Sequence, residues 1–170
     1  MFKANKIKLI KALVLTSTLA SFVVLFTVFN TTLPGIAGYS PFLPVAQKTE
    51  IVELQDGDYY ELKASYVTKE IAGQKQVMLA YNYQIPGPIL KIEEGASVTV
   101  ELVNQTDIST TLHSHGIRTT NKYDGTPGLT QPAIKPGESF EYKLTFPDPG
   151  VFWYHPHLRE DYTQERGLYG

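Results

Sequence analysis

Cysteine is absent from all 170 residues. Disulfides are therefore excluded, although an exported chain could have used them. No long run of like charges, no low-complexity tract and no internal repeat interrupts the sequence. From Glu50 onward no long segment carries helical periodicity. The basic residues form no stripe. The first 37 residues hold four of the fifteen Lys and Arg and none of the seventeen Asp and Glu, so the remainder has eleven basic against seventeen acidic groups, a net −6. An acidic remainder of this kind argues against nucleic-acid binding.

What is present points to β-structure. Eleven Tyr, eight Phe, thirteen Gly and eleven Pro suit short strands broken by many turns. The length suits one ordinary domain and a tail. The N-terminal tail reads differently from the rest. Lys3, Lys6, Lys8 and Lys11 precede residues 12–29, an uncharged and mostly apolar stretch of 18 positions. As a helix this stretch spans about 27 Å, close to a bilayer's hydrocarbon thickness. Gly35 and Ala37 supply small residues for a cleavage after Ala37. Residues 1–37 are thus expected to be either a cleaved signal peptide or a retained membrane anchor. Both place the remainder outside the cytoplasm, periplasmic or extracellular, with the lysines held inside. Residues 38–49, rich in Pro and Gly, read as an extended linker.

Beyond it, polar and apolar residues alternate in short runs. Tyr60-Leu62-Ala64, Val77-Leu79-Tyr81, Ile89 to Ile92, Val98-Val100-Leu102, Phe140-Tyr142-Leu144-Phe146 and Val151-Trp153 are the clearest. Gly57, Gly73, Gly95, Gly137 and Gly150 separate them. Period-two alternation with a turn every ten residues or so predicts an antiparallel sandwich or barrel over residues 50–170.

The four histidines of the chain form two His-x-His pairs, His113 with His115 and His155 with His157. Residues two apart on a strand face the same side, with Cα atoms about 6.6 Å apart. One such strand can offer two imidazoles to one metal or to two adjacent metals. Neutral imidazole suits copper, zinc, iron and nickel, and spacing alone does not choose among them. Cupins also carry His-x-His on a β-barrel, but they usually follow it with a Glu ligand, where this chain has Arg118 and Thr119.

The surroundings of the pairs are more specific. Tyr83-Gln84-Ile85-Pro86-Gly87-Pro88, Leu112-His113-Ser114-His115-Gly116, Asp124-Gly125, Pro136-Gly137, Trp153-Tyr154-His155-Pro156-His157 and Gly167-Leu168-Tyr169-Gly170 occur in order. This series, over residues 77–170, resembles the first domain of multicopper oxidases. The resemblance implies an all-β, cupredoxin-like Greek-key sandwich over residues 50–170. It implies that His113 is a type 2 copper ligand and that His115, His155 and His157 ligate the type 3 pair. It implies half of a trinuclear copper cluster, completed by histidines of another cupredoxin domain or subunit, that reduces dioxygen to water. The electrons would come from a small donor, phenolic or metallic. Asp124 occupies the position whose carboxylate helps proton delivery in that family, and Asp-Gly also commonly forms a turn. Trp153 and Tyr154 are expected to alternate between the core and the support of the imidazoles.

Two departures accompany the resemblance. Many members have Trp between the first two histidines, and this chain has Ser114, whose side chain should point away from the metals. A type 1 copper needs a Cys thiolate with two His, so that centre is expected outside this chain. The chain therefore reads as the N-terminal fragment of a longer laccase-like oxidase, its last strand missing and inactive alone. A non-catalytic copper-binding or copper-tolerance module is the alternative.

Overall fold

The computed structural model describes residues 43–170. The expected signal or anchor, including residues 12–29, lies outside the described residues. Among the described residues no helix is long and apolar enough to cross a membrane.

Eight strands follow one another: β1 (Ile51–Leu54), β2 (Tyr59–Ile71), β3 (Gln74–Tyr81), β4 (Ile89–Ile92), β5 (Ser97–Asn104), β6 (His113–His115), β7 (Ser139–Thr145) and β8 (Trp153–His155). A 3-10 turn at Asn121–Tyr123 and a single helical turn, α1 (Glu160–Thr163), complete the described elements. The largest sheet has the order β3-β2-β5-β7, and β1-β4 and β6-β8 form separate two-stranded sheets.

The all-β expectation holds, and the expectation of purely antiparallel pairing does not. β1 with β4 and β2 with β5 run parallel, while β2–β3, β5–β7 and β6–β8 are antiparallel. Alternation of polar and apolar residues marks a strand with one buried face in either direction. Which distant strand lies alongside is not written in it.

β5 shows how the sequence makes the core. Val98, Val100 and Leu102 are buried, and the residues between them are half-buried or exposed. Across the sheet Tyr60, Val100 and Tyr142 align in one row, and Leu62, Leu102 and Phe140 in the next. Each such aliphatic side chain contributes about 1.5–3 kcal/mol by leaving water. β2 alternates only as far as Ala64. Beyond it Val67 and Thr68 are both buried, and residues 44–46 pair along the edge of the strand there, with Val45 in parallel register with Thr68. Val67, Ala80 and Ile85 form a small second core with Ala46 against it. That stretch, read above as part of a linker, is extended and fastened to the domain, through Ala46 N–H to Thr68 O at 2.7 Å and Gln47 N–H to Tyr83 O at 2.7 Å.

A buried amide organises the path from β5 to the first histidine pair. Asn104 is wholly buried. Its Nδ2 donates to Ile108 O at 2.8 Å and Ile134 O at 2.9 Å, and its Oδ1 accepts from Thr106 N at 3.0 Å and Thr106 Oγ1 at 2.7 Å. Thr110 and Ile134 then exchange two backbone bonds. The chain thus enters β6 from a braced corner.

Candidate metal centre

The two His-x-His pairs share one face. Leu112, just before β6, and Ser114 within it turn inward and are buried, so His113 and His115 must face the other way. Leu112 is fixed further by its N–H, which donates to the buried Tyr142 Oη at 2.9 Å. β8 lies antiparallel to β6 with His113 opposite His155, Ser114 opposite Tyr154 and His115 opposite Trp153. Tyr154 therefore points with Ser114, and its Oη donates to Pro88 O at 2.6 Å. Trp153 and His155 share the histidine face.

His157 reaches the same place from beyond the strand. Its N–H donates to Oγ1 of the fully buried Thr111 at 3.1 Å, and its ring stacks on that of His113 at 4.1 Å between centroids. A ring nitrogen from each of His113, His155 and His157 lies within 4.8 Å of the other two. That spacing suits ligands of one metal or of closely spaced metals.

The hydrogen bonds select the tautomers. His113 Nδ1 lies 2.7 Å from Asp124 O, and His155 Nδ1 lies 3.0 Å from Pro156 O. A carbonyl oxygen only accepts, so both Nδ1 atoms carry the proton. The contact of His157 is longer, 3.4 Å to Thr126 Oγ1. That hydroxyl gives its own hydrogen to Asp124 Oδ2 at 2.6 Å, so it accepts from His157. All three rings are thereby left with an Nε2 lone pair, the state in which imidazole binds a metal. His155 Nε2 is buried and has no hydrogen-bond partner. A buried polar atom without a partner costs free energy, and a metal ion at this position removes that cost. The residues present fit a bound transition metal.

Electrostatics agree. Burial pushes the pKa of His155 down, and its imidazole neighbours add to the effect. Burial also lowers His157, helped by His113. Both rings are therefore neutral near pH 7.

Asp124 lies beside His113, with a carboxylate oxygen 3.5 Å from Nδ1. Gly125 is what allows this approach. It sits at φ +80, and a Cβ there would overlap Leu112 O and stand 2.6 Å from Leu112 C and 2.9 Å from His113 N. The Asp-Gly step is thus a tight turn pressed against β6, and the same turn aims the Asp124 carbonyl at His113.

His115 stands apart from the other three. It is exposed and lies outside the convergent group, although its ring centroid is 5.4 Å from that of His113 and 5.8 Å from that of His155. Trp153 lies 5.2 Å from it and stacks on His155 at 3.9 Å. Three supports escaped the sequence reading: Thr111, Thr126 and the Asp124 carbonyl. None has a sequence signature, because each acts through a backbone group or a hydroxyl placed by the fold.

A β-sheet fold that brings ring nitrogens of three histidines within 4.8 Å of one another could hold a transition metal. The chain belongs to the multicopper oxidase family: the family model described as "Multicopper oxidase" matches residues 63–170. It is 41% identical over 112 residues to multicopper oxidase MCE of Talaromyces pinophilus, covering 65% of this chain and 18% of that protein. It is 33% identical over 134 residues to copper resistance protein A of Pseudomonas syringae pv. tomato, covering 79% of this chain and 20% of the relative. Among solved structures it resembles the multi-copper oxidase from Pseudomonas thermotolerans, with a TM-score of 0.65 and 37% identity over 70% of this chain and 29% of that one. The chain spans about a fifth of the length of these curated relatives.

Proposed function

We propose that this chain supplies half of the ligands of a copper cluster in a laccase-like oxidoreductase. The observation carrying this reading is the convergence of His113, His155 and His157 with each Nδ1 tied to an oxygen and each Nε2 free. His113 is assigned to type 2 copper, and His115, His155 and His157 to the type 3 pair. What copper supplies when bound is redox chemistry: electrons from a phenolic or metallic donor go to dioxygen, four with four protons for each dioxygen, leaving two waters.

The chain's own residues hold and orient. Asp124 O, Pro156 O and Thr126 Oγ1 fix the rotation of three rings. The Trp153 indole covers His155 and limits water on that side. The Asp124 carboxylate, half-exposed beside His113, can carry a proton between solvent and the site, which is the task proposed for it. Donor oxidation requires a type 1 copper, for which this chain has no Cys. The partner is thus a Cys-bearing cupredoxin domain or subunit. The lysine-flanked apolar segment supports an exported location, with residues 12–29 as signal core or anchor.

Copper titration of the purified chain, followed by metal analysis and electron paramagnetic resonance, tests the ligand set. Loss of uptake in His155→Ala is the expected result, and unchanged uptake overturns it. Assay of the chain with a phenolic or cuprous donor tests the half-site: turnover without an added partner contradicts it. A second reading, a non-catalytic copper-tolerance module, draws support from the copper resistance protein among the relatives. Copper uptake with no dioxygen consumption, even beside a Cys-bearing cupredoxin domain, favours that reading.

A further inference from the structure

Three of the four histidines form a group and the fourth stands outside it. The ring nitrogens of His113, His155 and His157 lie within 4.8 Å of one another, and among the described residues neither a fourth imidazole nor a carboxylate joins them. His115 is set apart although its place in the His-x-His step is equivalent to that of His113. Its side chain is exposed, and its partner across the β6–β8 ladder is Trp153. The Trp153 indole lies 5.2 Å from the His115 ring and stacks on His155 at 3.9 Å. The ligand set of this chain is therefore uneven, with three imidazoles on one point and one imidazole against an indole.

The unevenness decides how many ions the chain holds by itself. An ion about 2.0–2.1 Å from each nitrogen asks for nitrogens about 3.4 Å apart in a tetrahedral site. The trio reaches that spacing by closing about 1.4 Å at most, the difference between 4.8 Å and about 3.4 Å. Small tilts suffice, because His113 and His155 are pinned at Nδ1, to Asp124 O at 2.7 Å and Pro156 O at 3.0 Å, and each ring can pivot on that contact. A second ion meets different conditions. Two dications repel about four times as strongly as two single charges at the same spacing. A bridging carboxylate would offset this, and the group contains none. The Asp124 carboxylate lies 3.5 Å from His113 Nδ1, the nitrogen that carries the proton. Only His115 is left for a second ion, and one imidazole is a poor site.

We propose that this chain by itself captures a single divalent transition ion on His113, His155 and His157, and that His115 is a reserve ligand recruited only when a partner's ligands arrive. The inference rests on the copper-cluster reading of the same residues and deepens it. The trio draws together the imidazole assigned to type 2 copper and two of those assigned to the type 3 pair. Completing the cluster therefore redistributes imidazoles that already hold an ion. Loading has an order: one ion before the partner docks, the others with it.

Zinc is the probe, because it is divalent, diamagnetic and redox-inert. The full 170-residue chain is titrated with zinc, with native mass spectrometry counting ions and histidine-ring nitrogen-15 spectra reporting each imidazole. The chain has four histidines, so His115→Ala identifies the His115 signals by their loss. The first equivalent is expected to move the Nε2 resonances of His113, His155 and His157 to the metal-bound position and to leave His115 unmoved. A second equivalent is expected to bind at least about a hundredfold more weakly than the first. A second ion bound within that factor, or a shift of His115 at the first equivalent, overturns single capture and leaves the half-cluster reading standing. Absence of zinc uptake, or uptake that none of the trio reports, overturns both this inference and the ligand set beneath it.

Discussion

Replacing Gly125 with alanine probes the link between backbone geometry and the metal centre. Two costs arise and can be separated. The first is conformational: at φ +80 an L-residue pays about 1–2 kcal/mol for the left-handed region. The second is steric. The new methyl group meets Leu112 O, Leu112 C and His113 N, all backbone atoms of or beside β6, so no side-chain rotation relieves it. Overpacking of this kind costs a further ~1–3 kcal/mol. Gly57 supplies the control, because at φ +86 a Cβ there meets nothing within 4 Å, so Gly57→Ala carries the first cost alone. For a domain of this size 1 kcal/mol corresponds to roughly 3–6 °C in Tm. Gly57→Ala should therefore lower the thermal midpoint by about 5 °C and Gly125→Ala by about 10 °C or more. Copper affinity should fall ~10–100-fold in Gly125→Ala alone, because displacing the Asp124 carbonyl frees the His113 ring. Calorimetric unfolding and copper titration of both variants decide the matter. Equal midpoints, or equal copper affinities, would refute the claim that this glycine holds β6 and its histidine in place.

Thr126→Val removes the hydroxyl between Asp124 and His157 and should weaken copper binding ~10-fold at a stability cost of about 1 kcal/mol, with Thr126→Ser close to the parent; isothermal titration reads the first and urea unfolding the second. Tyr142 contributes to the alkaline limit. Burial raises its phenol from 10.0 to about 12, so the neutral form is favoured in the fold, and the stability it contributes is complete below pH 10 and lost as pH climbs through 12. Burial raises Tyr81 and Tyr154 in the same direction. The urea midpoint should therefore hold from pH 7 to about 10 and then fall, and a flat profile above pH 10 contradicts this. Tyr142→Phe, which strands the Leu112 amide, should cost about 1–3 kcal/mol. Copper removal by a chelator from a sample at a hundred times Kd should lower stability by about 2.7 kcal/mol, measured as the shift in unfolding midpoint.

The alternation in residues 98–102 and 140–144 marks strands because β5 and β7 bury one face only. β1, β6 and β8 have four, three and three residues, too few for a period to show. β6 was located by its histidines alone, and β8 by its histidines together with the short Val151-Trp153 alternation. That the two histidine pairs face one another depends on the register of β6 against β8, a contact between positions 42 residues apart that no local pattern encodes. The parallel alignment of β2 with β5 was hidden for the same reason. Asp124 could be singled out by its side chain, whereas the atom bound closest to His113 is its carbonyl, which every residue possesses. The position of His115 outside the convergent trio also has no sequence sign, since it and His113 are equivalent members of one His-x-His step until Trp153 packs opposite.

The corner built on Asn104 also makes a single amide decisive for the first histidine strand. Its side chain donates to two carbonyls and accepts from one threonine, all within the core. Slow hydrolysis of that amide, a gain of one mass unit, would set a carboxylate against Ile108 O and Ile134 O in place of two donors. Two attractions would turn into repulsions, the loop before β6 would loosen, and the histidine strand would lose its footing far from any metal chemistry.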